Sequence, residues 1–242
     1  MAKTAIITGA SRGIGAAVAE RLAKDGFSVV VNYGGSEAEA AAVVNEIKSA
    51  GGRAIPAKAD VSKADEVSRM FEVAETEFGG VDVLVNNAGI MMLSSVATTD
   101  DTVFDRQIAV NLKGTFNGLR EAAKRLRNGG RIINFSTSVV GLKLESYGVY
   151  AATKAAVETL TAILSKELRG RSITVNAIAP GPTGTDLFLH GKSPELIDRM
   201  AKMNPLERLG TPQDIAAAVS FLAGPDGGWI NGQVLRANGG MN

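Results

Sequence analysis

The chain contains no cysteine, and that absence removes disulfides, thiolate nucleophiles, iron–sulfur clusters and Cys-ligated zinc. Histidine occurs once, as His190. No serine elbow or second cue accompanies it, so a hydrolase triad has no support, and His190 reads as a loop residue. No metal site is expected. An excess of one charge is also missing, because 26 Lys and Arg face 25 Asp and Glu. Without a block of like charges there is no electrostatic footprint for nucleic acid or an anionic membrane. No apolar run approaches the roughly 18 residues that a membrane span requires. Met1-Ala2-Lys3 leads straight into a short apolar strand, with no longer apolar run or small-residue cleavage site of a signal peptide. A cytoplasmic protein with small-molecule partners is the expectation.

What the chain does have is apolar residues (45%) and 28 glycines in 242 residues, enough for a sizeable core and unlike a disordered or collagen-like chain. One grammar recurs: a short β-branched apolar run, a Gly or polar break, then a longer stretch with helical periodicity. That is how βαβ units feed a parallel sheet. Strands are predicted at Thr4 to Thr8, Ser28 to Asn32, Arg53 to Ala59, Val81 to Asn86, Arg131 to Ser136, Ile173 to Ala179 and Gln233 to Ala237. Helices are predicted from Gly15 to Lys24, from Ser36 to Ala50, from Ser62 onward, about Asp101 to Leu126 and about Tyr150 to Arg169. With no linker or fixed-period repeat, residues 1–242 read as a single α/β domain. The expected fold is a doubly wound Rossmann-type three-layer α/β/α sandwich around a mainly parallel seven-stranded sheet. One Pro- and Gly-rich irregular stretch, 181–205, is a candidate substrate loop. Trp229 and the Met91-Met92 pair read as packing residues.

Immediately after the first strand comes Thr8-Gly9-Ala10-Ser11-Arg12-Gly13-Ile14-Gly15. At a strand-to-helix junction such a turn lets backbone N–H groups and the helix N-terminus face a pyrophosphate, and its glycines allow an approach that a Cβ would obstruct. The second strand ends in Asn32-Tyr33-Gly34-Gly35-Ser36, with no carboxylate where an NAD binder places one. Arg12 supplies positive charge there, and Asn32 and Ser36 are candidate donors to a 2′-phosphate. NADP(H) is therefore the expected cofactor. Asp60-Val61 and Asn86-Asn87-Ala88-Gly89 fall at carboxyl ends of later strands, where ligands of open α/β sheets collect.

Tyr150-Ala151-Ala152-Thr153-Lys154 puts a phenol and an ammonium on one helical face. At about 4 Å and an effective dielectric near 20, the positive charge favours phenolate by roughly 4 kcal/mol. That would move the tyrosine from about 10 toward about 7, unless desolvation opposes it. Upstream lies the hydroxyl run Ser136-Thr137-Ser138, and Asn111 sits within Asn-Leu-Lys-Gly-Thr.

The T-G-x-x-x-G-x-G turn, Asn-Asn-Ala-Gly, Asn111, the hydroxyl run and Y-x-x-x-K follow one another in an order and spacing that resembles the short-chain dehydrogenase/reductase family, over essentially the whole chain. The stretch around Tyr150 and the ending Asn-Gly-Gln-Val-Leu-Arg-Ala-Asn-Gly-Gly look like the branch near hydroxynaphthalene reductases and 3-oxoacyl-carrier-protein reductases. The resemblance implies hydride transfer between nicotinamide and a ketone or 3-oxoacyl carbonyl, with Tyr150 as general acid/base. Lys154 would also hold the nicotinamide ribose, and Asn111 would help hold a water near the lysine. A serine would hydrogen-bond the substrate oxygen. The family's spacing lands on Thr137, whereas the Ser-Val-Val-Gly ending points to Ser138, and both stay open. Asp60 and Val61 would lie beside adenine, and Asn87, Ala88 and Gly89 beside the ribose. Pro180, Gly181, Thr183 and Thr185 resemble the nicotinamide-side segment. Sugar or polyol dehydrogenation and a catalytically silent dinucleotide-binding protein are the alternatives. A homotetramer is implied by the family.

Overall fold

A computed structural model describes residues 2–242. Its seven strands are β1 (Thr4–Ile7), β2 (Ser28–Tyr33), β3 (Arg53–Lys58), β4 (Val81–Asn86), β5 (Leu126–Phe135), β6 (Thr174–Pro180) and β7 (Val234–Ala237). They form one sheet in the order β3-β2-β1-β4-β5-β6-β7, and every neighbouring pair is parallel. β1, β2 and β4 are buried at every residue, as apolar strands covered on both faces must be. Pro56 lies in β3, an edge strand, where a missing N–H is tolerated.

The helices are α1 (Gly13–Lys24), α2 (Glu37–Ser49), α3 (Ala64–Phe78), α4 (Asp101–Gln107), α5 (Gly114–Arg125), α6 (Val139–Leu142), α7 (Gly148–Glu167), α8 (Asp186–Leu189), α9 (Pro194–Ala201) and α10 (Pro212–Ala223). Adjacent strand residues go to opposite faces. Ile7, Val85 and Ile133 pack with Val18, Leu22, Ile215 and Leu222 of α1 and α10. Ile6, Leu84 and Ile132 pack with Phe71, Leu119 and Leu164 of α3, α5 and α7. Two apolar layers thus sandwich the sheet. Among the described residues no helix is long and apolar enough to cross a membrane.

Several boundaries differ from the sequence reading. The long helix expected from Asp101 is broken by a π-helical stretch, Ile108–Lys113, between α4 and α5, and Leu126 belongs to β5. That strand begins before Arg131 because Leu126 pairs with Val81 across a register shift. α3 starts at Ala64, not Ser62, since the Ser62 hydroxyl donates to Asp60 at 2.7 Å instead of capping a helix. The stretch 181–205 is not irregular throughout, as it carries α8 and α9. The chain moves outward from β1 through β3 and then returns to β4 on the other side of β1. At this reversal the carboxyl ends of the strands diverge and leave a crevice.

Candidate active site

The glycine turn closes one end of that crevice. Gly9 has a φ of +61°, and a Cβ there would lie 2.9 Å from Ala88 Cα. A Cβ on Gly15 would meet the Gly9 carbonyl and stand 2.6 Å from Asn87 Nδ2. The turn is braced by two side chains. Asn87 Nδ2 donates to the Thr8 and Gly9 carbonyls at 2.9 and 3.0 Å, and Thr8 Oγ1 accepts from the backbone N–H groups of Asn87 and Ala88 at 3.0 Å each. The result is a braced turn, without a Cβ at Gly9, Gly13 and Gly15, at the N-terminus of α1, which fits a pyrophosphate. Thr8 was not among the expected site residues, although it leads the motif.

Along this cleft lie Gly9, Ser11, Arg12, Gly13, Ile14 and Gly15, followed by Asn32, Ser36, Asp60, Val61 and Ala88 to Gly89. These expected cofactor residues share one groove, but Asn32 is placed differently from the donor role read from sequence. Asn32 is buried and both its amide hydrogens are committed, to the Ala57 and Ala59 carbonyls at 3.1 Å each, while its Oδ1 accepts from Gly9 N. Its side chain shapes the turn and has no hydrogen left for a phosphate. Arg12 is exposed, 3.7 Å from Glu39, and Ser36 lines the same cleft. Asp60 feels burial, which pushes its carboxyl up, but the Ser62 hydroxyl and N–H, with Arg106 and Lys63, bring it below the usual range. Arg106, which sequence reasoning missed, lines the same groove.

The second part of the crevice encloses about 980 Å³ of space that includes its open mouth. Asn87, Gly89, Thr137, Ser138, Tyr150, Lys154, Pro180, Gly181, Thr183 and Thr185 all line it. The strand ends and α7 therefore bring together residues nearly a hundred positions apart. The Thr137 side chain lies near enough to the Tyr150 phenol to favour its ionised form. Ser138, in contrast, faces away from the phenol: its Oγ donates to the Ala179 carbonyl at 3.3 Å and accepts from Asn238 Nδ2 at 2.9 Å. Of the two hydroxyls left open by sequence, Thr137 is the one that meets Tyr150. Asn238 had no signal in the sequence, because only the fold carries β7 to the loop after β5.

Lys154 Nζ donates to the Phe135 carbonyl at 2.8 Å and lies 5.9 Å from the Tyr150 ring centroid. Burial brings this ammonium down from 10.5 to about 8. The expected acidification of Tyr150 does not occur. Burial raises the phenol from 10.0 to about 12, and the Thr137 side chain opposes that rise only in part. Asn111 is fully buried in the π-helical stretch, where its amide clamps both backbone groups of Ile90, accepting at 2.8 Å and donating at 2.9 Å. Its other hydrogen goes to Thr153 at 3.3 Å. Both hydrogens of the Asn111 amide are thus committed, so its side chain has no donor left for a water.

Near the nicotinamide-side segment the Gly181 N–H is committed to the Ala237 carbonyl at 3.0 Å, and Thr185 caps α8 through its hydroxyl. Thr183 and Thr185 both line the cavity. His190 is exposed and outside the cavity lining. Trp229 is 98% exposed, so it is not a packing residue, and Met91 lines the cavity. Among the described residues no cluster of metal-ligating side chains occurs.

The model of a protein family described as enoyl-(acyl carrier protein) reductase matches residues 9–242. A short-chain type dehydrogenase/reductase from Picea abies is 46% identical, across 99% of this chain and 92% of that protein. A chloroplastic NADPH-dependent aldehyde reductase-like protein from Arabidopsis thaliana is 44% identical, across 98% of this chain and 93% of that one. Among solved structures, a short-chain dehydrogenase from Burkholderia cenocepacia in complex with NADP is 37% identical, covers 99% of this chain and 98% of that chain, and superposes with a TM-score of 0.94.

Proposed function

The chain belongs to the short-chain dehydrogenase/reductase family and uses NADP(H), and from that premise we propose that it is a carbonyl reductase in which Tyr150 delivers the proton. The observation that carries this reading is that Tyr150, Thr137 and Lys154 line one cavity together with Ile14, Gly89 and Thr185. The phenol thereby shares one space with the segments suited to the reactive end of the cofactor.

The residues divide the work by chemistry. The Gly9 to Gly15 turn holds the pyrophosphate, Arg12 and Ser36 take the 2′-phosphate, and Asp60 with Val61 flank the adenine. Asn87 to Gly89 and Lys154 face the two riboses, while Pro180 to Thr185 orient the carboxamide. When bound, NADPH supplies the hydride. Thr137 and Tyr150 donate hydrogen bonds to the carbonyl oxygen, which concentrates stabilisation where negative charge develops. The Tyr150 proton passes to that oxygen, and the Lys154 ammonium stabilises the phenolate left behind. A phenol held near 12 is fully proton-loaded at neutral pH, which suits an acid in reduction. Asn111 acts on position only, by fixing Ile90 beside Gly89.

The test is Tyr150→Phe. General acid catalysis contributes about 10²- to 10⁴-fold, so ketone-dependent NADPH oxidation should fall by at least about 10²-fold while NADPH still binds. Full turnover by the purified variant refutes the role. Exposed Phe104, Phe116 and Ile163 on α4, α5 and α7 support a homotetramer, and a monomer in light scattering would remove that assembly.

A further inference from the structure

The cavity around Tyr150 is poor in free polar groups. Among the residues that line it Lys154 alone is charged, and its Nζ is bound to the Phe135 carbonyl at 2.8 Å. The polar side chains around it are largely spoken for. Ser136 donates to Glu158 at 2.5 Å, Ser138 is held by Ala179 and Asn238, Thr183 donates to the Gly181 carbonyl at 3.0 Å, and Asn87 braces the glycine turn. Once Thr137 and Tyr150 take the carbonyl oxygen, Tyr147 is the hydroxyl left to greet anything else.

The remaining wall is apolar and soft. Four of the chain's seven methionines line it: Met91 after β4, Met200 and Met203 in and after α9, and Met241 near the end of the chain. Leu187 and Phe188 of α8 join them. Thioether side chains are unbranched and polarizable, so they fit apolar groups of varied outline. A sugar or polyol brought here would lose water from several hydroxyls and find few partners, and a carboxylate would be buried without a free cation.

We propose that the substrates are uncharged ketones or aldehydes whose substituents are apolar, alkyl or aryl, and that the methionine wall selects them against polyhydroxylated and anionic carbonyl compounds. This rests on the carbonyl-reductase reading and narrows it. The probes are butanone, hexanone and octanone, acetophenone with para-carboxyacetophenone, and fructose, with NADPH oxidation giving kcat/KM and fluorescence titration giving the NADPH Kd.

Burying a methylene is worth about 0.8 kcal/mol, so kcat/KM should rise up to about fourfold per methylene from butanone to octanone. Acetophenone should exceed its para-carboxy form by at least about tenfold, and fructose should trail octanone by more. Met200→Lys places a cation in the wall and should raise the ratio of carboxylated to plain acetophenone at least about tenfold. Because both substrates meet the same variant, a partial loss of folded enzyme cancels from that ratio. A flat response to chain length, or fructose or the carboxylate preferred by the unaltered enzyme, overturns the proposal while the reductase reading stands. NADPH binding with no turnover of any carbonyl refutes that reading, and this proposal with it.

Discussion

Lys154→Met should make the protein more stable at neutral pH while removing its activity. Burial lowers the lysine from 10.5 to about 8, and at about 1.36 kcal/mol per unit the buried ammonium costs about 3 kcal/mol. A group whose folded pKa is depressed in this way is charged in both states below about 8, where the full penalty applies. It is neutral in both states above 10.5, where the penalty is gone. Between those limits the unfolded chain binds more protons, so native stability rises with pH. Methionine removes the charge but also the hydrogen bond to the Phe135 carbonyl, a loss of about 1 kcal/mol. The net gain is therefore about 2 kcal/mol at pH 7, turning into a loss of about 1 kcal/mol at pH 10.5. Urea unfolding at fixed protein concentration would register the gain as a midpoint about 0.7–1 M higher at pH 7. A variant-to-parent difference that stays constant between pH 7 and 10.5 would refute the claim that the lysine is buried as a penalised cation.

Thr137→Val should cut kcat about 10²-fold, whereas Thr137→Ser keeps most of it, and Ser138→Ala should mainly cost about 1 kcal/mol of stability through its lost bonds to Ala179 and Asn238; parallel kinetics and melts on the three variants decide it, and a larger kcat loss for Ser138→Ala would reverse the assignment. Arg12→Ala should weaken NADPH binding about tenfold to a hundredfold, from one lost charge-assisted contact, and leave NADH binding unchanged, as titration of both nucleotides would read. Alcohol oxidation needs Tyr150 as a base, and with the phenol raised to about 12 its kcat/KM should climb about tenfold per pH unit from pH 7 to at least pH 9; a plateau beginning at pH 7 contradicts a buried neutral phenol.

The sheet was legible because β1, β2 and β4 are apolar throughout and buried on both faces, so a run of letters maps directly onto a strand. The start of β5 was not, since Arg127-Asn128-Gly129-Gly130 reads as a break and only pairing with Val81 draws Leu126 into the sheet. The site divides in the same manner. Backbone demands such as the Cβ-free turn at Gly9 and Gly15 leave a spelled trace. Side-chain direction does not. Thr137 and Ser138 are adjacent hydroxyls, and what separates them is Asn238, a partner supplied from beyond β7. Asn32 has the chemistry of a phosphate donor, yet the carbonyls of Ala57 and Ala59 claim its hydrogens.

The misjudged phenol follows from the same distinction carried into electrostatics. A Tyr–Lys spacing fixes a charge separation to within a few ångströms, and Coulomb's law then gives an attraction of known sign. The dielectric and the desolvation cost, however, belong to everything packed around the pair, here the floor of β5, the wall of α7 and the Asn111 clamp. Removal of water acts on both partners at once, raising the phenol from 10.0 to about 12 and lowering the ammonium from 10.5 to about 8, so it disfavours charge on each and drives the two values apart. A dry cavity therefore holds the phenol in the neutral, proton-loaded form from which reduction starts, and the apolar methionine wall beside it belongs to the acid–base device as much as to substrate selection.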